Sequence, residues 1–267
     1  MKDTTRPVAI VTGAGQGIGL STSLALADAG HHVMCVDLNA QGAKAAAALV
    51  DGTAVPMDVT DERAVVEFVG SLDRCDVLVS NAGIWRFAPL LETTVDDAEA
   101  VLKVNLLAPL IWLKAVVPLM SEGGGGSIVH LASSAVRAVA TGVGIYPASK
   151  AAVITLTEQA ALELGPRGIR VNAVAPGRIV TGGTAARVAK QDEGTLGARA
   201  LPLGRWGDPD DIARTIAFLC SPAASYMTGQ VLWVDGGLTI GTNEYLRVVR
   251  GLKASEQNPP YEEPPLD

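Results

Sequence analysis

The chain has 267 residues, of which 48% are hydrophobic and 18% are charged. This balance excludes a wholly disordered chain, which needs low hydrophobicity and high charge, and a chain of this length can bury a large core without disulfides or metals. Asp and Glu number 28 and Lys and Arg 21, giving a formal net charge of -7, which disfavours nucleic acid and anionic membrane surfaces as partners.

Seven short apolar runs alternate with longer amphipathic or alanine-rich segments. The runs predict β-strands at residues 8–11, 33–36, 54–57, 77–79, 127–131, 170–174 and 231–234. The segments between them predict helices that include residues 18–29, 41–50, 61–71 and 151–164. Because the runs are apolar throughout, the strands should be buried on both faces. The fold class predicted is α/β, a single-domain Rossmann-type doubly wound parallel sheet of about seven strands with helices on both faces.

The remaining segments indicate how the chain is divided into a domain and its termini. Asp208, Pro209 and Asp211 predict one more helix start, as N-cap, first position and acidic first turn. We expect residues 1–240 to form one domain and 241–267 to form a C-terminal extension, whose tail from about residue 255 would be disordered or would dock on a neighbouring subunit. The first residues are polar and lead straight into a predicted strand, so we expect no signal peptide here. The most apolar stretch, 104–120, is interrupted by two prolines, an asparagine and a lysine, which disfavours a membrane span.

The three cysteines are scattered and lack metal-ligand spacing, and no His, Asp, Glu and Cys cluster predicts a metal site. Free thiols are typical of a reducing compartment. We therefore expect a cytoplasmic protein without a metal.

A glycine-rich turn lies between the first strand and the first helix. Its sequence, residues 12–19, is Thr-Gly-Ala-Gly-Gln-Gly-Ile-Gly. Glycines there let the backbone pass close to a pyrophosphate, to which the helix N-terminus offers free N–H groups. Asp37 ends the second strand, where a carboxylate can accept hydrogen bonds from the adenosine ribose and would repel a 2′-phosphate. Since neither Gln16 nor Leu38 is a cation that could offset that repulsion, NAD is favoured over NADP.

Two further strand ends fit the same ligand. Asp58 and Val59 follow the third strand, where they could meet the adenine, and Asn81, Ala82 and Gly83 follow the fourth, where small residues allow close approach of the backbone. Either segment could equally be an ordinary strand-end turn.

Three side chains predict acid/base chemistry at the same edge of the sheet. Tyr146 and Lys150 lie four residues apart at the start of a helical pattern and share one helix face. A free phenol has a pKa of about 10, and an ammonium within a few ångströms lowers it by favouring the phenolate. Ser133 ends the fifth strand, and ligands of open parallel sheets bind beyond the carboxyl ends of the strands. We therefore expect Tyr146 to act as general acid/base beside a nicotinamide. His130 is then predicted to be structural, since the acid/base position is already filled.

Taken in order, these motifs resemble the short-chain dehydrogenase/reductase family, in its compact single-domain branch. The resemblance covers roughly residues 7–240 and rests on residues 12–19, Asn81-Ala82-Gly83, Asn105, Ser133, Tyr146, Lys150, Pro176-Gly177 with Thr181, and Val234-Asp235-Gly236-Gly237. It implies an NAD-dependent alcohol dehydrogenase or ketone reductase that works as a homotetramer or a homodimer.

The resemblance also implies a role for each matched residue. Tyr146 would exchange a proton with the substrate oxygen, Ser133 would hydrogen-bond that oxygen, and Lys150 would hold the nicotinamide ribose and tune Tyr146. Asn105 would hold a water that links Lys150 to solvent. Pro109 has no N–H, so in an unbroken helix the Asn105 carbonyl would lack its partner and be free to bind that water. The predicted catalytic residues are Asn105, Ser133, Tyr146 and Lys150. The predicted cofactor-binding residues are Gly13, Gln16, Gly17, Ile18, Gly19, Asp37, Leu38, Asp58, Val59, Asn81, Ala82, Gly83, Tyr146, Lys150, Pro176, Gly177, Ile179 and Thr181.

The substrate should be bound by the loops after the fourth, fifth and sixth strands. Candidate lining residues are Ile84, Trp85, Phe87, Val136, Arg137 and Val139, with residues 182–199 as a lid. This lining predicts a medium-sized, largely apolar and neutral secondary alcohol or ketone, although Arg137 or Arg178 could pair with a substrate carboxylate. Two other functions remain open: a non-catalytic module that senses NAD, and an NAD-using epimerase or dehydratase. The intact Ser and Tyr disfavour the first, and the short segment after Gly237 disfavours the second.

Overall fold

A computed structural model describes residues 6–182, 198 and 201–240. Within these ranges the strands are β1 (Val8–Thr12), β2 (His32–Asp37), β3 (Thr53–Pro56), β4 (Val77–Ser80), β5 (Gly126–Leu131), β6 (Ile169–Pro176) and β7 (Val231–Val234). The α-helices there are α1 (Gly17–Asp28), α2 (Ala40–Leu49), α3 (Glu62–Gly70), α4 (Val95–Leu102), α5 (Ala108–Glu122), α6 (Tyr146–Leu164) and α7 (Pro209–Cys220). The predicted strands are confirmed, each within two residues of its predicted bounds.

The strands form one parallel sheet in the order β3-β2-β1-β4-β5-β6-β7. From β1 the chain runs outward to β3 on one side, and from β4 it runs outward to β7 on the other. A crevice opens at the carboxyl ends of the strands where these two directions diverge, between β1 and β4. The doubly wound topology predicted from the alternating pattern is therefore confirmed.

Helices cover both faces of the sheet. On one face α3, α5 and α6 pack against strand residues that include Ile10, Leu78 and Ile128. On the other face α1, α2 and α7 pack against residues that include Val11 and Val79. Alternate residues of each strand thus enter different apolar cores, which explains why the strands are apolar throughout.

Most helices begin with a side chain that satisfies their first N–H groups. Asn39 caps α2, Asp61 caps α3 and Thr94 caps α4. The predicted start of α7 is confirmed as a capping box, in which the Asp211 carboxylate accepts from the Asp208 N–H at 2.9 Å. Like α5 and α6, α1 begins without a side-chain hydrogen bond. Its first N–H groups are left for another partner.

Residues Val95–Glu122 are long and apolar enough to cross a membrane, judged by length and composition alone. Within this stretch, however, α5 packs Trp112, Val116 and Met120 into the core under the sheet, and each is at most 1% exposed. This packing is that of a core helix, and it explains the high hydropathy without a membrane.

Two predictions fall on segments outside the described residues. These are the lid over residues 182–199, of which only Gly182 and Ala198 are described, and the extension over 241–267. In the described part of the chain, no group of three or more His, Cys, Asp or Glu side chains could hold a metal ion.

Candidate active site

The glycine-rich turn after β1 is packed so tightly that side chains could not replace its glycines. Gly13 and Gly17 have φ angles of 65° and 54°, in the left-handed region that favours glycine. A Cβ on Gly19 would lie 2.0 Å from the Gly13 carbonyl oxygen. The turn leads directly into the uncapped N-terminus of α1, with Gln16 at the N-cap position. This end of the helix can therefore bind an anion through backbone N–H groups.

Asn81 holds the turn in place. Its side-chain amide donates to the carbonyl oxygens of Thr12 and Gly13 at 2.8 and 3.0 Å. The Thr12 hydroxyl in turn accepts from the backbone N–H groups of Asn81 and Ala82 at 3.0 and 3.1 Å. The contact of Asn81 with the cofactor stays a prediction, and the described bonds of its side chain go to the backbone of the turn. Its described contacts give it a supporting role.

Asp37 lies beside the same turn. One carboxylate oxygen accepts from the Gly15 N–H at 2.8 Å, and the other accepts from the Asn39 N–H at 2.8 Å. These bonds fix a negative charge at the end of β2, next to the glycines. The next residue, Leu38, is apolar and 76% exposed, so the position directly after Asp37 carries no cation.

The segment after β3 lies near the crevice, but the described hydrogen bonds of its Asp58 side chain are made within the segment. The Asp58 carboxylate accepts from the N–H and hydroxyl of Thr60, which helps to hold its pKa below the usual range. The Val59 side chain is buried, and its carbonyl accepts from the Trp112 indole at 3.2 Å. Part of this segment is therefore the strand-end turn that the sequence left open.

The residues after β6 reach the glycine-rich turn from the other side of the crevice. A Cβ on Gly17 would contact the Thr181 side chain at 3.2 Å. Gly177, next to Pro176, is needed for packing, since a Cβ there would lie 2.5 Å from the Asp235 Cα. The Ile179 side chain is 9% exposed and enters the core beside α7, so its backbone is the part that can face a ligand.

The side chains of Tyr146 and Ser133 lie near each other, and hydrogen bonding from Ser133 favours the phenolate form of Tyr146. The Ser133 oxygen already accepts from the Ala135 N–H at 3.2 Å, so its proton is available to the Tyr146 oxygen. Burial raises the pKa of Tyr146, and the Ser133 bond counters that effect only in part. The prediction that Lys150 makes this phenol acidic is wrong for the protein as described, because desolvation of the phenolate outweighs the stabilising contacts.

Lys150 is buried beneath Tyr146. Its amine lies 6.0 Å from the centre of the Tyr146 ring and donates to the Leu131 carbonyl at 2.7 Å. Only 4% of the residue is exposed, and this burial lowers the pKa of the amine to about 8. A buried ammonium with one such partner is poised to donate further hydrogen bonds to a ligand.

Asn105 is fully buried and ties three segments together. Its side chain accepts from the Ile84 N–H at 2.8 Å and donates to the Ile84 carbonyl at 2.9 Å and to the Ser149 hydroxyl at 3.0 Å. The helix is not unbroken here, because Lys103–Leu107 form a π-turn in which the Ala108 N–H bonds the Lys103 carbonyl, five residues back. Single π-turns within α-helices are frequent at functional sites.

Gly83 brings the catalytic and cofactor motifs together. A Cβ on Gly83 would lie 3.2 Å from the Asn105 amide oxygen and 3.4 Å from the Lys150 amine. The space beside these two polar groups is therefore wider because residue 83 has no side chain. It lies at the carboxyl edge of β4 and β5, between the glycine-rich turn and Tyr146.

The loops that border this space are apolar and partly exposed. A Cβ on Gly144, before α6, would contact the carbonyls of Arg86 and Ala88 at 3.3 and 3.6 Å, so the loops after β4 and β5 lie against each other. Trp85 and Phe87 are 42% and 54% exposed, with their rings 6.2 Å apart. They can supply an apolar wall to a substrate.

Sequence reasoning missed two contacts of the site. The Ser149 hydroxyl links Asn105 to the Tyr146 carbonyl, to which it donates at 2.7 Å. Arg137 stacks on the Trp233 ring, 96 positions along the chain, at 4.0 Å. The first could have been found from the shared helix start, but only the register of β7 brings the second pair together. His130 is buried and bonds the Thr157 hydroxyl at 3.0 Å, in agreement with its predicted structural position.

The residues present fit a nicotinamide dinucleotide. The uncapped α1 and its glycines can hold the pyrophosphate, Asp37 can accept from the adenosine ribose, and the Lys150 amine faces the space that Gly83 leaves open. Tyr146 lies at the edge of the same space, where a ribose and a nicotinamide would be adjacent.

Comparison with known proteins agrees with this reading. A family model described as enoyl-(acyl carrier protein) reductase matches residues 13–239. The chain is 40% identical to the 3-oxoacyl-(acyl-carrier-protein) reductase of Thermotoga maritima, over 87% of this chain and 98% of that one. It is 37% identical to the sorbitol dehydrogenase of Cereibacter sphaeroides, over 86% of this chain and 96% of that one.

Two solved structures share the fold over most of their length. A Beutenbergia cavernae protein with NADP bound at low occupancy superposes with a TM-score of 0.83 at 38% identity, covering 88% of this chain and 97% of that one. A 7α-hydroxysteroid dehydrogenase complexed with NADH and 7-oxo glycochenodeoxycholic acid superposes with a TM-score of 0.80 at 32% identity, covering 86% of this chain and 93% of that one.

Proposed function

The chain belongs to the short-chain dehydrogenase/reductase family, and from that premise we propose that it transfers hydride between NAD(H) and a secondary alcohol or ketone. The substrate is medium-sized and largely apolar, and Tyr146 is the general acid/base. The observation that carries the proposal is the meeting of Ser133, Tyr146, Lys150 and Asn105 at one strand edge beside the glycine-rich turn.

In the reductive direction Tyr146 gives its proton to the carbonyl oxygen. The raised pKa of this phenol keeps it protonated at neutral pH, which suits a proton donor. Ser133 donates a hydrogen bond to the same oxygen, and the Lys150 ammonium stabilises the phenolate that remains. When bound, the nicotinamide supplies or accepts the hydride. In the oxidative direction Tyr146 must first lose its proton, so we expect oxidation to speed up as the pH rises.

Asp37 supports NAD as the cofactor. Its carboxylate is fixed beside the Gly15 N–H, where it would repel a 2′-phosphate, and no Lys or Arg follows it. One relative holds NADP and another NADH, so this choice is a property of the individual chain. The apolar loops with Trp85 and Phe87 support a largely apolar substrate. We expect the enzyme to work in the cytoplasm.

A labelled-substrate assay tests the function and the cofactor together. Secondary alcohols deuterated at the carbinol carbon are offered with NAD or NADP to the wild type, to Asp37→Asn and to the exposed control Asp73→Asn. We expect deuterated NADH from the wild type, and a fall of about 10-fold or more in the preference for NAD in Asp37→Asn alone. A wild type that already prefers NADP would contradict the cofactor assignment.

The same assay separates the two other candidate functions. A module that only senses NAD would bind it without forming any reduced cofactor from any alcohol. An epimerase or dehydratase would change the substrate without net reduction of NAD. Either outcome would contradict the proposed reaction.

A further inference from the structure

Arg137 is held over an aromatic ring close to the catalytic serine. It closes the short turn that begins at Ser133, and its backbone N–H bonds the Ser134 carbonyl at 3.0 Å. Its guanidinium carbon lies 4.0 Å from the centre of the Trp233 ring. A stack of this kind fixes the flat face of a guanidinium and leaves the N–H groups at its edge directed sideways.

Trp233 lies on the same edge of the sheet as the catalytic groups. It pairs with Ala175 in the register between β6 and β7. Its ring packs with Ile154 against a cluster that contains Ala132, the residue before Ser133. Ile154 follows Lys150 by one turn of α6, on the helix face that carries Tyr146 and Lys150. The stacked pair therefore lies on the catalytic side of the sheet, displaced toward β7.

The charge of Arg137 has no protein counterpart among the described residues, because no carboxylate lies within ion-pair distance of it there. Some exposed arginines do pair, since Arg86 meets Asp97 at 3.6 Å and Arg205 meets Asp211 at 2.7 Å. The exposed Arg63 and Arg167 have no ion pair within the described part of the chain, but they also have no aromatic ring beneath them there. In a chain of net charge -7, an arginine that stacks on a ring at the catalytic side of the sheet and has no acid partner in the described ranges is well placed to receive an anion from solution.

We propose that Arg137 binds a carboxylate of the substrate, so that the substrate is an oxo acid or hydroxy acid whose acid group is separated from the reacting carbon by an apolar chain. This inference rests on the proposed function. It replaces the neutral substrate expected from the sequence and keeps the substrate largely apolar. A single guanidinium balances the one charge of a carboxylate, whereas a phosphate of charge near -2 would be left in excess.

The sheet also sets the length of the chain. β5 and β7 are two strands apart, which corresponds to about 10 Å at the usual strand spacing. An extended chain spans that distance in about eight bonds, and fewer are needed where the Arg137 side chain reaches back toward β5. The geometry therefore favours an acid group about five to eight bonds from the carbonyl carbon.

Matched substrates test this inference. Oxo acids in which three to nine bonds separate the two groups are each compared with their own methyl ester, in the wild type, in Arg137→Gln and in Trp233→Leu. Arg86→Gln, which removes an arginine of the neighbouring loop, is the control. We expect kcat/KM to favour the acid over its ester about 10-fold or more at the best length. That ratio should be lost in Arg137→Gln, reduced in Trp233→Leu and kept in Arg86→Gln.

Different results would contradict the role of Arg137 and the proposed reaction. A wild type that turns over acids and esters alike, or an Arg137→Gln variant that keeps the preference, would overturn the role of Arg137 and leave the proposed reaction standing. An enzyme that reduces no ketone of either kind would contradict the proposed reaction itself.

A binding measurement keeps the inference testable without turnover. Hexanoate and octanoate cannot be reduced, and their binding beside Trp233 should change the tryptophan fluorescence of the wild type in the presence of NAD. We expect a saturable change with the carboxylates and none with their methyl esters. The change should be absent in Arg137→Gln and retained in Arg86→Gln. Equal responses of the wild type and Arg137→Gln to the carboxylates would overturn the proposal.

Discussion

His130 lies behind the catalytic residues, at the point of β5 that faces α6. It is fully buried, and its Nδ1 atom bonds the hydroxyl of Thr157. Since that hydroxyl donates to the Val153 carbonyl at 2.8 Å, it accepts from His130, which fixes the proton of the neutral imidazole on Nδ1. Burial, aided by the charge of Lys150, lowers the pKa of His130 to about 4.

This arrangement predicts an acid-sensitive fold. Between about pH 6.5 and pH 4 the unfolded chain binds a proton at residue 130 that the folded chain does not, so the free energy of unfolding falls as the pH falls. Summed over that window, the loss is about 3 kcal/mol. Urea unfolding of the wild type and His130→Gln across this window checks it: the difference between the two should shrink or change sign as the pH drops. Parallel curves would contradict the assignment.

At the scale of elements, the packing of the turn between β1 and α1 strongly restricts which residues can occupy it. Gly19 cannot carry a side chain, because a Cβ would lie 2.0 Å from the Gly13 carbonyl and 2.6 Å from the Asn81 amide. The turn would have to open, and the N–H groups of α1 would move away from a bound pyrophosphate.

Gly19→Ala should therefore lower the free energy of unfolding by about 1–3 kcal/mol and weaken NAD binding by about 10-fold or more. Gly70→Ala is the matched control, since nothing lies within 4 Å of a Cβ at that end of α3. It should be neutral or slightly stabilising. Urea unfolding and NAD titration measure both effects. A Gly19→Ala variant that binds NAD like the wild type would show that the turn does not need its present form.

The elements themselves could be predicted well from the sequence. The seven strands and the edge that gathers Ser133, Tyr146 and Lys150 follow from apolar runs separated by helix-length segments, because parallel topology leaves few alternatives. The π-turn at Lys103–Leu107, by contrast, depends on how α4 and α5 pack. The raised pKa of Tyr146 depends on tertiary burial, which spacing along a helix does not reveal.

Contacts between residues far apart in the sequence also could not be predicted. Asn81 supports the glycine-rich turn through two carbonyls, although its place after β4 indicated only that it would be near the cofactor. The stack of Arg137 on Trp233 joins β5 to β7 across β6. Its geometry follows from the order of three strands and not from either residue's neighbours in sequence.

At the scale of the whole molecule, apolar side chains remain exposed on the segment that leads into α4 and α5. Leu91 and Val95 are 101% and 72% exposed, and Leu107 and Leu110 are 47% and 37% exposed. Solvent-facing apolar residues grouped in this way are typical of an interface between subunits. We expect the protein to form a homotetramer or a homodimer through this surface.

Sedimentation equilibrium measures that assembly. The wild type should have two or four times the mass of the chain, and a variant with Leu107→Lys and Leu110→Lys should shift toward smaller species, since a charge at an apolar interface is costly. Leu49→Lys, at a leucine of α2 that is 65% exposed, should leave the mass unchanged. A monomeric wild type would contradict the expectation.

The central claim is that the Tyr146 hydroxyl moves the proton. The most direct measurement compares kcat for ketone reduction and the Kd for NAD in the wild type and in Tyr146→Phe, with the fully exposed Tyr226→Phe as control. Loss of this hydroxyl removes the acid/base group and leaves the glycine-rich turn, Asp37 and Lys150 to hold the dinucleotide. The account predicts a fall in kcat of about 100-fold or more in Tyr146→Phe alone, with the Kd for NAD almost unchanged. Retained turnover in Tyr146→Phe would show that another group carries the proton and would contradict the account.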